Sequence, residues 1–312
     1  MLRLSVIIPT YRRGAELRRC LEALAQTTRP PDETLVAVAE GDEETRALLE
    51  GLHEIGGRLG LRLVTSPVAG QIPQMNAALA QATGEVVCFT DDDCVPHRDW
   101  LQRLAAPYAD PQVGGVGGRD VVHVGERIST KPGRQVGRLT WWGRLIGNHH
   151  HEFPPGLVEV AHLKGANMSF RRALLPGFDL RMVGGSCALN DTDISLTVGE
   201  SGYRLLYDPQ AVVEHYPAVR AGASTRRLDD PRLVFSDSHN WTYCMLKHLP
   251  PGRRVAFLAY ATLVGMGNRI GLVKYLLQGW RRPGRATRQL SAALRGVAAG
   301  LRSWRAARRE AS

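Results

Sequence analysis

Val86-Val87-Cys88-Phe89-Thr90-Asp91-Asp92-Asp93 joins four apolar residues to three carboxylates, and this junction decides the fold. A short apolar run opened by Gly84-Glu85 reads as a buried strand of a parallel sheet. Its exit is where open α/β sheets bind ligands. If strand alternation continues through the triplet, Asp91 and Asp93 face one way and Asp92 turns aside. Two hard oxygen donors on one face, with room left for substrate oxygens, suit Mg²⁺ or Mn²⁺ carrying a diphosphate. The competing reading is a solvated acidic turn, or a cap for the next helix.

Working outward, the first hundred residues alternate strand and helix. Strands are expected at Leu4–Ile8, Thr34–Ala39 and Leu61–Thr65, and helices at Glu16–Ala25, Glu43–Leu59 and Gln74–Ala82. Leu17, Leu21 and Leu24 give the first helix its apolar face. Such alternation predicts a parallel sheet with right-handed crossovers. After Pro107 the pattern changes. Gly114-Gly115-Val116-Gly117-Gly118 is expected to form a tight turn entering a strand at Arg119-Asp120-Val121-Val122. Residues 125 to 165 read as a long loop of the kind that is functional or mobile, with His149-His150-His151 solvated within it, and regular structure resumes from about Ala166 to His215.

The chain has 312 residues, enough for one large or two modest domains, and 44% apolar with 22% charged residues is a globular composition. The net charge of +10 is unevenly placed: from Pro251 onward there are thirteen Arg or Lys and one acid, Glu310, leaving residues 1–250 at about −2. The body is therefore not marked as a nucleic-acid binder. The five cysteines, Cys20, Cys88, Cys94, Cys187 and Cys244, lack close metal-type pairing and read as reduced structural thiols. The chain enters Leu4-Ser5-Val6-Ile7-Ile8 without a basic lead and apolar signal core, so a cytoplasmic setting is expected.

Several segments in order resemble glycosyltransferase family 2, the inverting group with the GT-A fold. They are Ser5-Val6-Ile7-Ile8-Pro9-Thr10-Tyr11, Gly84-Glu85 with Asp91-Asp92-Asp93, Lys164-Gly165-Ala166-Asn167-Met168-Ser169, Asn190-Asp191-Thr192-Asp193, and Tyr207-Asp208-Pro209 followed by His215. The resemblance covers roughly residues 4 to 216 and implies an α/β fold, a mostly parallel nucleotide-binding sheet flanked by helices. It implies a nucleotide-sugar-binding half at 1–110 and an acceptor-binding, catalytic half at 111–220. A helical basic extension is expected at 221–312.

By that resemblance Pro9, Thr10 and Tyr11 form the loop where base and ribose dock. The second strand of the family ends in acidic residues that read the base; here Glu40 or Asp42 could substitute. Asp91 and Asp93 match the ends of a D-x-D metal site, with Asp93 the direct ligand and Asp91 or Asp92 bound through water or toward ribose. A divalent cation there neutralises charge that develops on the departing diphosphate. Asp191 matches the catalytic base, and Asn190 replaces the acidic residue usual before it. Asp191 also suits the N-terminus of a helix over Ile194–Glu200, with Asp193 sharing that role. His215 matches a histidine used near the metal, and imidazole favours Mn²⁺ over Mg²⁺. Lys164 and Asn167 are expected to line the cleft toward phosphate or acceptor.

The implied reaction moves a sugar from a nucleotide diphosphate sugar to a hydroxyl of a sugar or lipid-linked acceptor, in cell-surface polysaccharide or glycolipid synthesis. A nucleotidyltransferase is disfavoured because Pro9-Thr10-Tyr11-Arg12-Arg13-Gly14 is not a Gly-rich phosphate loop. A non-catalytic nucleotide-sugar-binding protein is disfavoured by the presence of both the Asp triplet and Asp191. In the tail, Ala256–Gly267 is apolar, but Asn268, Arg269 and Lys274 interrupt it before spanning length. Leu290, Leu294, Val297, Leu301 and Trp304 then form a seam, and Arg281, Arg288, Arg295, Arg302 and Arg309 recur every seven residues on another face. This predicts a basic amphipathic helix lying on an anionic membrane surface, at the inner face of the plasma membrane. Packing on the body or a coiled-coil partner are the alternatives.

Overall fold

A computed structural model describes residues 2–184, 188–217, 230–267 and 269–310. Cys187 and Asn268 lie outside the described residues. The chain divides into two compact units. The first holds Met1–Arg138, Ile146–Phe178 and Ile194–Ala218; the second holds Leu139–Leu145, Asp179–Asp193 and Val219–Ser312.

The first unit opens with β1 (Leu4–Pro9), α1 (Gly14–Ala25), β2 (Glu33–Ala39), α2 (Glu43–Glu50), α3 (His53–Leu59), β3 (Leu61–Ser66), α4 (Gln71–Leu79) and β4 (Val86–Phe89). The helix expected over Glu43–Leu59 is two helices. The interruption falls at Gly51-Leu52, and Gly51 is among the weakest of helix formers. There follow β5 (Cys94–Pro96), α5 (Trp100–Ala105), β6 (Val113–Val124), β7 (Arg127–Ile128), the two-residue strands β8 (Arg138–Leu139) and β9 (Leu145–Ile146) at the ends of the Leu139–Leu145 segment counted with the second unit, then β10 (Val158–Val160) and β11 (Met168–Arg171). Helix α6 spans Asn190–Glu200, its first four residues counted with the second unit and the rest, from Ile194, with the first, and β12 (Arg204–His215) follows in the first unit.

The main sheet has the order β10-β12-β6-β11-β4-β1-β2-β3. Strands β4, β1, β2 and β3 are parallel, whereas β11 is antiparallel to both β4 and β6. Val6 and Ile8 of β1 pack with Leu17, Leu21 and Leu24 of α1 and Trp100 of α5, all fully buried. The glycine run is not a turn. It lies inside β6, buried, because neighbouring chains come too close for side chains. A Cβ on Gly118 would sit 1.8 Å from the Ala211 carbonyl oxygen, and one on Gly114 would meet the Cβ of Tyr203 at 2.5 Å.

At the lower edge of this sheet, where the parallel strands begin, Glu33 is a buried hub. Its Oε1 accepts from Ser5 Oγ (2.6 Å), Thr83 N (2.6 Å) and Thr83 Oγ1 (2.9 Å), and its Oε2 from Arg62 Nη1 (2.8 Å). Burial pushes this carboxyl up, but the bonds from Ser5, Thr83 and Arg62 together prevail and hold it at about 2.

The second unit is helical: α7 (Pro231–His248), α8 (Pro251–Leu263), the short strands β13 (Gly265–Met266) and β14 (Arg269–Ile270), α9 (Leu272–Gln278) and α10 (Pro283–Glu310). Its α10 packs on α7 through small residues. A Cβ on Gly296 would lie 2.5 Å from the Phe235 carbonyl oxygen, and one on Gly300 would lie 2.5 Å from that of His239. Ala292, Ala293 and Val297 share this buried face. The seam expected to meet a membrane is thus turned partly inward. The guanidiniums of Arg254 and Arg308 lie over the Trp304 ring, 5.1 and 5.3 Å from its centre. Arg288, Arg295, Arg302 and Arg309 remain exposed. Among the described residues no helix is long and apolar enough to cross a membrane.

Candidate active site

Strand β4 ends at Phe89, so the Asp triplet is a turn and strand alternation does not set its directions. Its partners do. Asp92 reaches back to the exit of β1, where its Oδ2 accepts from Thr10 Oγ1 (2.7 Å) and its Oδ1 from Arg13 Nη1 (2.9 Å). Burial raises this carboxyl to about 6 against the opposing pull of Arg13 and Thr10. Asp91 is half-buried, and its pKa is raised by burial and by Asp93, with His215 and Lys164 opposing.

The crossover at β5 brings His215 to this turn. Strand β5 pairs antiparallel with the end of β12, setting Cys94 opposite His215, and Tyr216 N donates to the Asp93 carbonyl (2.9 Å). His215 Nε2 then lies 3.3 Å from Asp93 Oδ1, while its Nδ1 lies 2.9 Å from Oδ1 of Asp120, a residue only 1% exposed on the neighbouring β6. Burial lowers the imidazole's pKa, but the two carboxylates outweigh it and raise it to about 10.

This donor set fits a divalent cation. Asp93, Cys94 and His215 each offer one ligand atom, all within 4.8 Å of one another. Burial and the nearby carboxylates hold the Cys94 thiol protonated, which leaves the Asp93 carboxylate and, once an arriving cation displaces its proton, the His215 imidazole as the donors. A histidine backed by a carboxylate on its other nitrogen is the arrangement that orients imidazole toward a metal. The raised pKa values of Asp91 and Asp92 come first from burial, with repulsion among the carboxylates adding to it, so charge on this turn is costly without a counter-cation.

Around the triplet, Pro9 and Thr10 are buried and Tyr11 is half exposed, with the Arg12 guanidinium 5.2 Å from its ring centre. Gln74 ties two strand exits together, its Nε2 donating to the carbonyls of Thr10 (2.6 Å) and Ala37 (3.0 Å). Glu40 is exposed at the end of β2. Asp42 is buried and committed, taking Arg12 N (2.9 Å), Thr45 N (3.2 Å) and Thr45 Oγ1 (2.9 Å) as the cap of α2. Of the two acids considered for base reading, Glu40 alone presents an open carboxylate. Lys164 is exposed and contributes to the field at Asp91.

Asn167, expected to line the cleft, is instead fully buried. Its Oδ1 accepts from Trp100 Nε1 (2.8 Å) and its Nδ2 donates to the carbonyls of Arg119 (3.0 Å) and Ala211 (2.7 Å). It braces β6, α5 and β12 behind the site. The histidine triplet is not a solvated loop either. His149 and His151 are buried, and His149 is kept neutral by burial and by His162.

Asp191 belongs to the second unit, in the first turn of α6, half-buried, with Oδ1 accepting from Thr192 N (2.7 Å). Two residues on, Asp193 is buried and accepts from Lys247 Nζ and His248 Nε2, both at 2.8 Å, from the last turn of α7. Lys247 also reaches Asp179 Oδ2 (3.3 Å), which Tyr243 OH bonds at 2.6 Å. Asn240 of the same helix holds Val183 N, Val183 O and Ala188 O. The motif is therefore pinned to α7 on both sides.

Arg13, Asp120 and Gln74 were absent from the residues that the sequence singled out. Arg13 had a signal, since two arginines at a helix N-terminus oppose the helix dipole. Asp120 had another, a carboxylate set between the glycine run and the apolar Val121-Val122 of one strand.

The sheet and this carboxylate–histidine turn define an α/β fold with an acidic site at its strand exits, and the glycosyl transferase family 2 model matches residues 5–177. The chain belongs to that family. It is 28% identical over 120 residues to glycosyltransferase AglE of Haloferax volcanii, a match covering 36% of this chain and 38% of AglE. The matched stretch is thus about two fifths of that relative's length. It is also 28% identical over 244 residues to the succinoglycan biosynthesis protein ExoM of Rhizobium meliloti, covering 76% of this chain and 74% of ExoM. In fold it resembles the mannosyltransferase PcManGT of Pyrobaculum calidifontis, solved with GDP-Man and Mn²⁺. The TM-score is 0.57 and the identity 20%, with 96% of this chain and 87% of the other covered. The fold is the GT-A type.

Proposed function

We propose that this protein is a metal-dependent inverting glycosyltransferase that moves a sugar from a nucleotide diphosphate sugar to a hydroxyl of a sugar or lipid-linked acceptor. The observation that carries the reading is the Asp93–His215–Asp120 array at the exit of β4. Asp93 and His215 would hold the cation, with Asp91 on its flank, and the carboxylate-backed imidazole favours Mn²⁺ over Mg²⁺. When bound, the cation supplies positive charge to the departing diphosphate.

The chain's own groups do the rest. Thr10 and Arg13 hold Asp92, which fixes the turn; Tyr11 and Glu40 are the open side chains for base and ribose. Lys164 supports phosphate. Asp191 takes the acceptor hydroxyl's proton as that oxygen bonds the anomeric carbon. The bond from that carbon to the diphosphate oxygen breaks on the opposite face, and the nucleoside diphosphate leaves with the electron pair. Inversion follows from that single displacement. In this reading residues 1–110 serve the donor, 111–220 the acceptor and chemistry, and 221–312 form the extension. The cytoplasmic, membrane-peripheral setting belongs to the same proposal.

The test is nucleoside diphosphate release across a panel of UDP-, GDP- and dTDP-sugars, with Mn²⁺, with Mg²⁺ and with chelator. Donor-selective release that requires a cation and increases with acceptor is expected. Cation-independent release would refute the metal assignment, and pyrophosphate release from a nucleoside triphosphate and sugar phosphate would indicate nucleotidyl transfer instead.

A further inference from the structure

The second unit exposes an apolar corner that the reaction does not use. On α9, Leu276 is 74% exposed and Leu277 68%, and Trp280 just beyond is 72% exposed. Leu272 and Val273 extend the same surface, and Leu263 and Val264 at the end of α8 continue it. Val264, Val273 and Leu277 line one shallow groove, so the two helices present a continuous face. The other side of α9 is engaged: Tyr275 OH lies 3.2 Å from Thr287 Oγ1 of α10, and Gly279 is buried against the Tyr275 ring. The exposed leucines are thus the outward face of a docked helix.

The surroundings identify what would cover this face. Lys274 stands within it, and Arg282, Arg285 and Arg288 are exposed on the residues that follow. Between Pro251 and Arg309 there is no acidic residue at all. A protein-binding face of this apolarity would not need a rim of one sign, whereas an anionic leaflet does. Trp280 satisfies its indole N–H internally, by donating to the Leu277 carbonyl (3.1 Å), so immersion leaves that donor paired. The helix is far too short to span, which leaves in-plane docking.

We propose that the α8–α9 corner docks in the interfacial layer of an anionic lipid membrane, with Leu276, Leu277 and Trp280 inserted and Lys274, Arg282, Arg285 and Arg288 on the headgroups. This places the anchor on α9, and gives the arginines of α10 the supporting, salt-sensitive part. It does not depend on the catalytic reading.

The experiment is flotation of the full chain with vesicles of equimolar phosphatidylcholine and phosphatidylglycerol, and with phosphatidylcholine alone, at low and high salt. Wild type should bind the mixed vesicles and retain part of that binding at high salt. The variant L276S/L277S/W280S changes exposed side chains only and should keep its melting temperature, yet bind about tenfold or more weakly. The variant R288E/R295E/R302E should weaken mainly the salt-sensitive part. Equal binding by wild type and the serine variant, or no binding by wild type, would overturn the proposal. So would a sedimentation change from dimer to monomer in the serine variant with vesicle binding unaltered, because a second copy would then cover the face.

Discussion

The Glu33 hub gives a quantitative test of the scaffold. The carboxyl sits at about 2 against an ordinary value of 4.5, because burial, which raises it, is outweighed by the bonds from Ser5, Thr83 and Arg62. That difference corresponds to about 3 kcal/mol of stability carried by the ionised form. Since the folded pKa is depressed, the contribution is fully present above about pH 4.5 and is lost as pH falls toward 2. Glu33→Gln has no charge to titrate, and its amide turns donors toward Thr83 and Ser5. Wild type should therefore exceed the variant by about 3 kcal/mol more at pH 7 than at pH 2, read from urea unfolding of the first unit at several pH values. A stability gap independent of pH would refute the account, whatever its size, because shape alone would then explain it. Turnover by the variant at saturation should be unchanged where it remains folded, since Glu33 lies at the end of the sheet opposite the Asp triplet.

Three further outcomes concern the site. Asp93→Ala should abolish metal-dependent turnover while circular dichroism stays native, and full activity of the variant in chelator-treated buffer would contradict the metal assignment. Asp191→Asn removes the proton acceptor but keeps the shape, so turnover should fall on the order of 10²- to 10⁴-fold with donor affinity retained, measured by nucleotide binding and steady-state kinetics. Lys247→Met leaves Asp179 and Asp193 without their shared cation; the second unit should lose on the order of 2–4 kcal/mol in thermal unfolding, less than an unpartnered buried pair because Tyr243 and His248 still bond the two carboxylates.

Much of the donor half was legible because its signals are local. Apolar runs at Leu4–Pro9, Glu33–Ala39 and Val86–Phe89, separated by amphipathic helices, can only be satisfied by a buried parallel sheet. The misreadings share one physical origin, which is that side-chain direction depends on partners far away in the chain. The glycines of β6 look like a turn until β12 presses on them. Asn167 looks like a cleft residue until Trp100, Arg119 and Ala211 claim its amide. Asp42 looks open for a base until α2 requires its cap. On α10 the leucine seam is the more hydrophobic, but the alanine and glycine face permits closer backbone approach, and that face packs on α7.

The same reasoning explains why the site needs so much chain for so few atoms. Asp93 and His215 are separated by more than a hundred residues, and neither strand pairing of the donor half could bring them together. The short β5, directly after the triplet, does so by pairing with the end of β12. Strand β12 is in turn held by β6, whose Asp120 fixes the imidazole. Any change that loosens β6 from β12, such as a side chain at Gly118, should therefore displace His215 without touching a ligand. A Gly118→Ala variant is expected to lose metal affinity as well as stability, whereas Glu33→Gln loses only stability. If the two variants weaken folding equally and neither alters Mn²⁺ binding measured by calorimetry, the coupling of His215 to the β6–β12 pair is wrong.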